Sequence, residues 1–329
     1  SDLNSITALA TRGYNTGYLV GDIRGAWLAS TADDSDNEGE KDRSFHANNL
    51  TQNNTPTEAE VASGAELDGY SGFSTTVNFT AASNAEWDAL GSGAASMSIW
   101  FKSSGGSAIE QLMGFSKSDN SIRFILRMDA DGKITGVDDG ATDSTTQSSL
   151  EAYDDNAWHK ADYVRVKSSE QRLYVDGVFV NAGNTDAGSL TSSGNLPFGI
   201  GVMADGSSTP ATTCTLALAR ISATAPTDLQ VRQMYDAEKG MFEASAECTL
   251  QSTSTDAVLD VDVDLLTGKL LVTQTDAITV FDGLVVDKLF ADAGKPTKNA
   301  GNAEKGKLWG DLRTEQNSAN TYATVPVTD

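Results

Sequence analysis

Apolar and polar residues alternate with a period of two through the middle of this chain. Ile122, Phe124, Leu126 and Met128 alternate with Arg123, Ile125 and Arg127, which predicts a half-buried antiparallel strand with one apolar and one partly charged face. Met97, Ile99 and Phe101 repeat the pattern. From Trp158 to Val180 the chain reads as a strand, a second strand closed by Asp176-Gly177, and a third strand directly after it. Asp-Gly between apolar runs is a strong hairpin signal, because both central residues of a type I′ turn need positive φ. Several such strands, joined by polar turns without intervening helices, predict an all-β, two-sheet sandwich.

One helix is signalled. Thr227 stands as its N-cap with Gln230 three residues on, a capping box, and Gly240 follows as the expected stop. Val231, Met234, Tyr235 and Glu238 share one side, a mostly apolar stripe that can lie across the sandwich. After Phe242 a second β pattern begins. Leu259, Val261 and Val263 alternate with Asp260, Asp262 and Asp264, a turn at Thr267-Gly268 leads to Leu270-Leu271-Val272, and Ile278–Phe281 follows. Four short strands with tight turns predict a small meander like one propeller blade, a unit that needs neighbours to cover its faces. The alternating aspartates read as the solvated side of a strand.

The ends are less regular. Tyr18–Val20 and Ala26–Ala29 predict a small N-terminal hairpin, and residues 31–66 are rich in Asp, Asn, Glu, Ser and Thr, which reads as long loop or linker. The tail from Ala291 is loop-like apart from Leu308-Trp309 and Tyr322–Val327. The expected organisation is a hairpin and linker over 1–40, a sandwich over 41–243, the meander over 244–290 and a C-terminal arm over 291–329. Incomplete units at both ends favour oligomerisation.

Several segments together carry a resemblance. Trp158-His159 with Leu173-Tyr174-Val175-Asp176-Gly177, Asp42-Arg43-Ser44, Val61–Leu67, Tyr70–Ser74, Met97–Lys102, Leu216–Thr227 and Met234–Lys239 resemble the laminin-G, or concanavalin A-like, jelly-roll family, in the form carried by bacteriophage tail proteins. The resemblance covers most of residues 41–290. It implies a jelly-roll fold and a non-catalytic virion component, a tail fibre or receptor-binding protein that recognises a host surface glycan or other receptor. A homotrimer contacting other virion structural proteins is the implied assembly. A capsid decoration or head-fibre protein is the alternative, and a polysaccharide-degrading enzyme a further one.

Charge narrows the partners. Asp and Glu number 46 against 23 Lys and Arg, a formal charge of −23, which argues against binding a phosphate backbone. No apolar run approaches the roughly 18 residues of a membrane span, and the first residues lack the basic and apolar regions of a signal peptide. The expectation from these features is a protein made in a cytosol, which the resemblance further implies is that of the host, with the protein placed in the virion tail. Cys214 lies in an apolar alternation with Leu216 and Leu218, so a reduced, buried thiol is expected.

Catalytic signatures are weak. Glycoside hydrolysis needs two carboxylates roughly 5 to 9.5 Å apart, and the E-x-D-x-E type of strand that supplies them in glucanases of this fold does not occur. The chain has only His46 and His159, and no G-x-S-x-G elbow. His159 reads as part of a strand start.

Binding chemistry is better represented. Some laminin-G modules hold calcium at their rim, and a hard cation wants six to eight oxygens. Asp129 and Asp131 before Gly132, and Asp138 and Asp139 before Gly140, are the candidate calcium ligands, and equally the Asp-Gly pairs of ordinary turns. Asp260, Asp262 and Asp264 have the spacing of the first EF-hand ligands, but Leu265 and Leu271 replace the required Gly and Glu. For a glycan, aromatic faces and polar loop groups are the candidates. Tyr70, Trp87 and Tyr153 with Asp154, Asp155 and Asn156 fit that description, with edge or core packing as the competing role for each aromatic.

Overall fold

Asp176 and Gly177 both take positive φ, +52° and +70°, as the type I′ turn requires. They join two strands of a large antiparallel sheet. In spatial order it runs β13 (Val178–Gly183), β12 (Glu170–Val175), β11 (Trp158–Val166), β6 (Ala95–Ser103), β15 (Cys214–Ser222), β4 (Asp68–Ser71) and β3 (Thr57–Glu60), with β1 (Ile23–Trp27) also on β15. The facing sheet runs β10 (Ser144–Ala152), β9 (Lys133–Asp139), β8 (Arg123–Met128), β7 (Glu110–Ser116), β14 (Phe198–Ile200), β5 (Asn78–Ala81) and β2 (Thr51–Asn53). The computed structural model describes residues 21–30, 39–44, 46–84, 87, 90, 93–117, 123–139, 144–166, 170–183, 196–204, 208–244, 246, 258–264, 267, 269–274, 277–282, 285–291, 313–316 and 321–324.

The core follows the alternation. Met97, Ile99 and Phe101 of β6 meet Phe124, Leu126 and Met128 of β8 between the sheets, while Ile122 lies outside the described residues. On the outer face of the first sheet, Trp100 pairs with Lys160 and Ala217, and Ser98 with Asp162 and Arg220. Helix α1 (Asp228–Glu238) covers that face through Val231 and Met234, which pack on Val164 and Tyr174. Its capping box is formed as expected: Thr227 accepts from Gln230 N, and Gln230 accepts from Thr227 N. Gly240 is not the stop. The chain stays right-handed at Lys239 and tightens into a 3-10 turn over Lys239–Phe242, because Met241 is buried there and Phe242 stacks on Trp100 at 4.1 Å.

The reading of residues 31–66 as linker needs correction where the structure describes it. Thr51–Asn53 and Thr57–Glu60 are strands at the margins of the two sheets. Asp42 organises the turn before them, accepting from Ala26 N, Ser44 N, Ser44 Oγ and Asn48 N at 2.7–2.8 Å. Ala26–Ala29, expected as one arm of a separate N-terminal hairpin, instead gives Ala26 and Trp27 to the strand Ile23–Trp27, which pairs with Cys214–Ser222 in register Ile23 with Ser222 and Trp27 with Ala219. Tyr18–Val20, the other half of that hairpin, lies outside the described residues.

The chain divides into two units, Ser1–Ser245 and Ala246–Asp329. In the second, β16 (Val258–Val263), β17 (Leu270–Gln274), β18 (Ala277–Asp282) and β19 (Val285–Ala291) form a four-stranded antiparallel meander in chain order. The solvated side of β16 differs from expectation: Leu259, Val261 and Val263 are exposed and Asp260 and Asp262 are half-buried. The two carboxylates turn back to accept from Val261 N and Val263 N. In the tail, β20 (Arg313–Gln316) pairs with β21 (Thr321–Thr324), whereas Leu308-Trp309 lies outside the described residues. Among the described residues no helix is long and apolar enough to cross a membrane.

Candidate functional site

Three connections meet at one end of the sandwich. The β8–β9 turn holds Asp129 to Gly132, the strand-leaving segment after β6 holds Gly105, and the β10–β11 loop holds Tyr153 to Asn156. Tyr153 N donates to Gly132 O at 2.8 Å, and Asn156 N donates to Ser103 O at 2.7 Å, so backbone bonds fasten the third loop to the other two. Gly132 and Gly105 take φ of +77° and +88°, and the Asp154 carboxylate lies directly against both. A Cβ on Gly132 would sit 2.5 Å from Asp154 Oδ1, and one on Gly105 3.2 Å from Asp154 Oδ2. Glycine is therefore needed at Gly132 both for its backbone angle and for the space.

The side chains around this point differ in their engagement. Asp154 is half-buried, and its carboxylate takes no hydrogen bond or ion pair among the described residues. Asp155 is exposed and accepts from Ala157 N at 2.9 Å and faces His159 Nε2 at 3.1 Å; these contacts lower its pKa, the backbone N–H first. Asn156 is exposed in a left-handed conformation. Tyr153 is half-buried with its ring edge-on to His159 at 5.0 Å, and burial, then the Asp176 and Glu151 charges, raise its pKa.

His159 itself was readable only as a strand residue. Its Nδ1 lies 2.7 Å from Asp176 Oδ2 while Nε2 faces Asp155, so both ring nitrogens meet carboxylates. Burial opposes a charge on the ring, yet the hydrogen bonds and charges of Asp176 and then Asp155 raise the pKa above the usual histidine value.

Two of the glycan candidates are corrected. Tyr70 is fully buried, donates to Ser30 Oγ at 2.6 Å and packs edge-on against Phe79. Trp87 is buried against Phe115 and Phe198, with ring centroids 5.5 and 5.6 Å away. Both rings are occupied by the core and have no face for a ligand. Tyr153, Asp154, Asp155 and Asn156 do come together at the rim.

The four candidate calcium ligands do not converge. Asp129 and Asp131 flank the β8–β9 turn, and Asp138 and Asp139 close the far end of β9. Asp129 is engaged by Arg127 Nε at 2.8 Å and Thr135 Oγ1 at 2.7 Å, and Asp131 by Lys133 Nζ at 2.7 Å. Asp139 accepts from Arg123 Nε at 2.7 Å. Asp138 is buried, accepts from Gln171 Nε2 at 2.8 Å and lies 3.7 Å from Arg165 Nη1; burial dominates and raises its pKa. Among the described residues no group of three metal-ligating side chains is placed to hold an ion.

Three further buried carboxylates are bonded within the fold. Asp162 pairs with Lys160 and Glu238 with Arg220 in the layer beneath α1. Glu110 accepts from Thr212 Oγ1, Thr213 N, Thr213 Oγ1 and the buried Cys214 thiol. Cys248 lies outside the described residues. His46 faces Asp22 Oδ1 at 3.4 Å, a partner not evident from the sequence.

Fold and rim together define a lectin-like jelly roll: two antiparallel sheets around one core, with loops gathered at an end. Residues 71–232 match the model of the concanavalin A-like lectin/glucanases superfamily, and the fold around that segment is the jelly roll of such a domain. The chain is similar in fold to the binding domain of Paraclostridial mosquitocidal protein 1, at 10% identity and a TM-score of 0.54 over 94% of this chain and 74% of that one. It is also similar to domain 4 of AbnA, an extracellular arabinanase from Geobacillus stearothermophilus solved in complex with arabinotriose. There the identity is 16% and the TM-score 0.50 over 65% of this chain and 98% of that one. No curated protein matches the chain in sequence.

Proposed function

We propose that this chain is a non-catalytic recognition protein, a bacteriophage tail-fibre or receptor-binding component whose jelly roll binds a host surface glycan at the rim of Tyr153–Asn156. The observation that carries the reading is the half-buried Asp154 carboxylate, held without a partner among the described residues where two glycine turns and the 153–156 loop converge. An unengaged carboxylate beside exposed Asp155 and Asn156 offers acceptors and donors to the hydroxyls of a sugar, and the edge of Tyr153 offers an apolar border. The arabinotriose-bound domain supports a sugar as the ligand class for this fold. The pairing of Asp138, Asp139, Asp162 and Glu238 with arginine or lysine supports a passive role, because a carboxylate locked to a cation is a poor general acid or base.

Exposed apolar positions on the meander, Leu259, Val261, Val263 and Leu289, support self-association, and a homotrimer is the expected state. A glycan array probed with the whole protein and with Asp154→Ala tests the site. Binding of a defined glycan by the parent, weakened at least tenfold in the variant while thermal stability holds, is the expected result. Equal binding by both, or release of reducing ends from the glycan, overturns it. Sedimentation equilibrium reporting a stable monomer overturns the trimer.

A further inference from the structure

His159 sits where two separate pieces of chain must be held together. Asp176 belongs to the β12–β13 turn and Asp155 to the rim loop, and the imidazole spans them at 2.7 and 3.1 Å. The Asp176 side is the firmer anchor, since its other oxygen accepts from Lys160 N at 2.9 Å. The other titratable groups that feel its charge include Arg232 and Tyr235 of α1 and Tyr153 of the rim. On the rim side the ring meets Tyr153, whose phenol lies near Glu151. Beneath it lies the uncharged Phe101 ring at 5.8 Å. The ammonium of neighbouring Lys160 belongs to the opposite face, paired with Asp162.

An imidazolium donates from both nitrogens and satisfies both carboxylates at once. A neutral imidazole donates from one nitrogen, so the other presents a lone pair to a carboxylate oxygen. We propose that His159 is a positioning residue for the rim, bridging Asp176 to Asp155 as an imidazolium, and that loss of its ring proton releases the 153–157 loop from the hairpin. The Nε2–H bond breaks, its electron pair stays on the ring and the proton goes to solvent, with no bond between heavy atoms changed. Asp176 keeps the remaining N–H because it is closer and already oriented by Lys160 N, and Asp155 is left with the Ala157 N–H alone. The inference rests on the reading of the rim as the binding site for its consequence, a glycan affinity that weakens as pH rises past the histidine transition. The lock itself can be tested without a glycan.

Nitrogen NMR of the intact protein, labelled at histidine, reports the protonation of each ring nitrogen. Both nitrogens of His159 should be protonated at pH 6, with Nε2 losing its proton at higher pH. Hydrogen exchange of the 153–157 amides, corrected for intrinsic rate, should accelerate about tenfold from pH 6 to pH 8.5, the scale of one lost charge-assisted bond. Asp155→Asn, at an exposed side chain, should make that exchange independent of pH while the amides of β11 stay protected. A ring already neutral at pH 6, or loop exchange equal at the two pH values in the parent protein, overturns the proposal. pH-dependent loop protection in a protein that binds no glycan at any pH supports the lock and counts against the proposed function alone.

Discussion

The Trp100 indole N–H donates to Glu238 Oε2 at 2.7 Å, a buried contact between residues 138 positions apart. It joins the outer face of β6 to the end of α1, and the other Glu238 oxygen pairs with Arg220 on β15. Removing the carboxylate would leave the Arg220 guanidinium buried without its charge partner, which costs about 3–5 kcal/mol where it has been measured. Glu238→Ala should therefore lower the unfolding free energy by that order, read from urea unfolding followed by tryptophan fluorescence. Glu238→Gln, which keeps an acceptor for the indole, should lose less.

The start of the same helix gives a smaller effect. Thr227 Oγ1 accepts from Gln230 N at 3.3 Å, satisfying one of the free N–H groups of the first turn. Thr227→Ala should cost about 1 kcal/mol, seen as a lower urea midpoint with an unchanged slope. A change in slope would mean that α1 unfolds separately from the sheet it covers.

Burial and strand register together create a pH dependence at the β3 margin. Glu60 stands directly opposite Asp68, and Glu58 lies opposite Tyr70, so like charges crowd one end of a strand pair. Burial, then the charges of Asp68 and Glu40, raise Glu58 to about 7, and burial with Glu60 raises Asp68 to about 6. A carboxyl whose folded pKa lies above its unfolded value binds protons more tightly when folded, so its contribution favours folding at low pH. For Glu58 that contribution declines as pH rises from the ordinary value of 4.5 to about 7 and is flat above. The melting temperature of Glu58→Gln relative to the parent should accordingly rise between pH 5 and pH 7.5. A constant difference across that range would refute the assignment.

What the sequence revealed was what neighbouring residues decide. The alternation of β8, the Asp176-Gly177 turn and the Thr227–Gln230 box depend on residues within a few positions of one another, and each stands as read. β1 was misplaced because its partner is Ser222, some two hundred positions on. Thr57–Glu60 reads TEAE, without the apolar alternation of a half-buried strand, and it is a strand only because β4 lies beside it. Tyr70 and Trp87 stand among Gly, Ser and Asn, a context that suggests loops, but distant Phe79, Phe115 and Phe198 enclose them. The rim was half visible: Tyr153–Asn156 and Asp129–Gly132 each carry turn chemistry, and only the fold shows that they touch. The two contacts of His159 left no local trace, since Asp155 and Asp176 lie 4 and 17 positions away in different connections.

Gly132 is where stability and recognition can be separated. Gly132→Ala places a methyl 2.5 Å from Asp154 Oδ1 at a φ of +77°, a conformation that costs an L-residue roughly 1–2 kcal/mol. The Asp154 side chain is the movable partner, so it should swing away while the Tyr153 N to Gly132 O bond holds the loop. The expected phenotype is a modest loss of stability with glycan binding reduced as far as in Asp154→Ala, because both changes remove the same carboxylate from the rim. Combining them should weaken binding no further than either alone, and should lose less stability than the sum of the two, since the methyl no longer meets a carboxylate. Calorimetric titration with an array-identified glycan checks this, and additive losses in affinity would show that Asp154 and Gly132 act at different places.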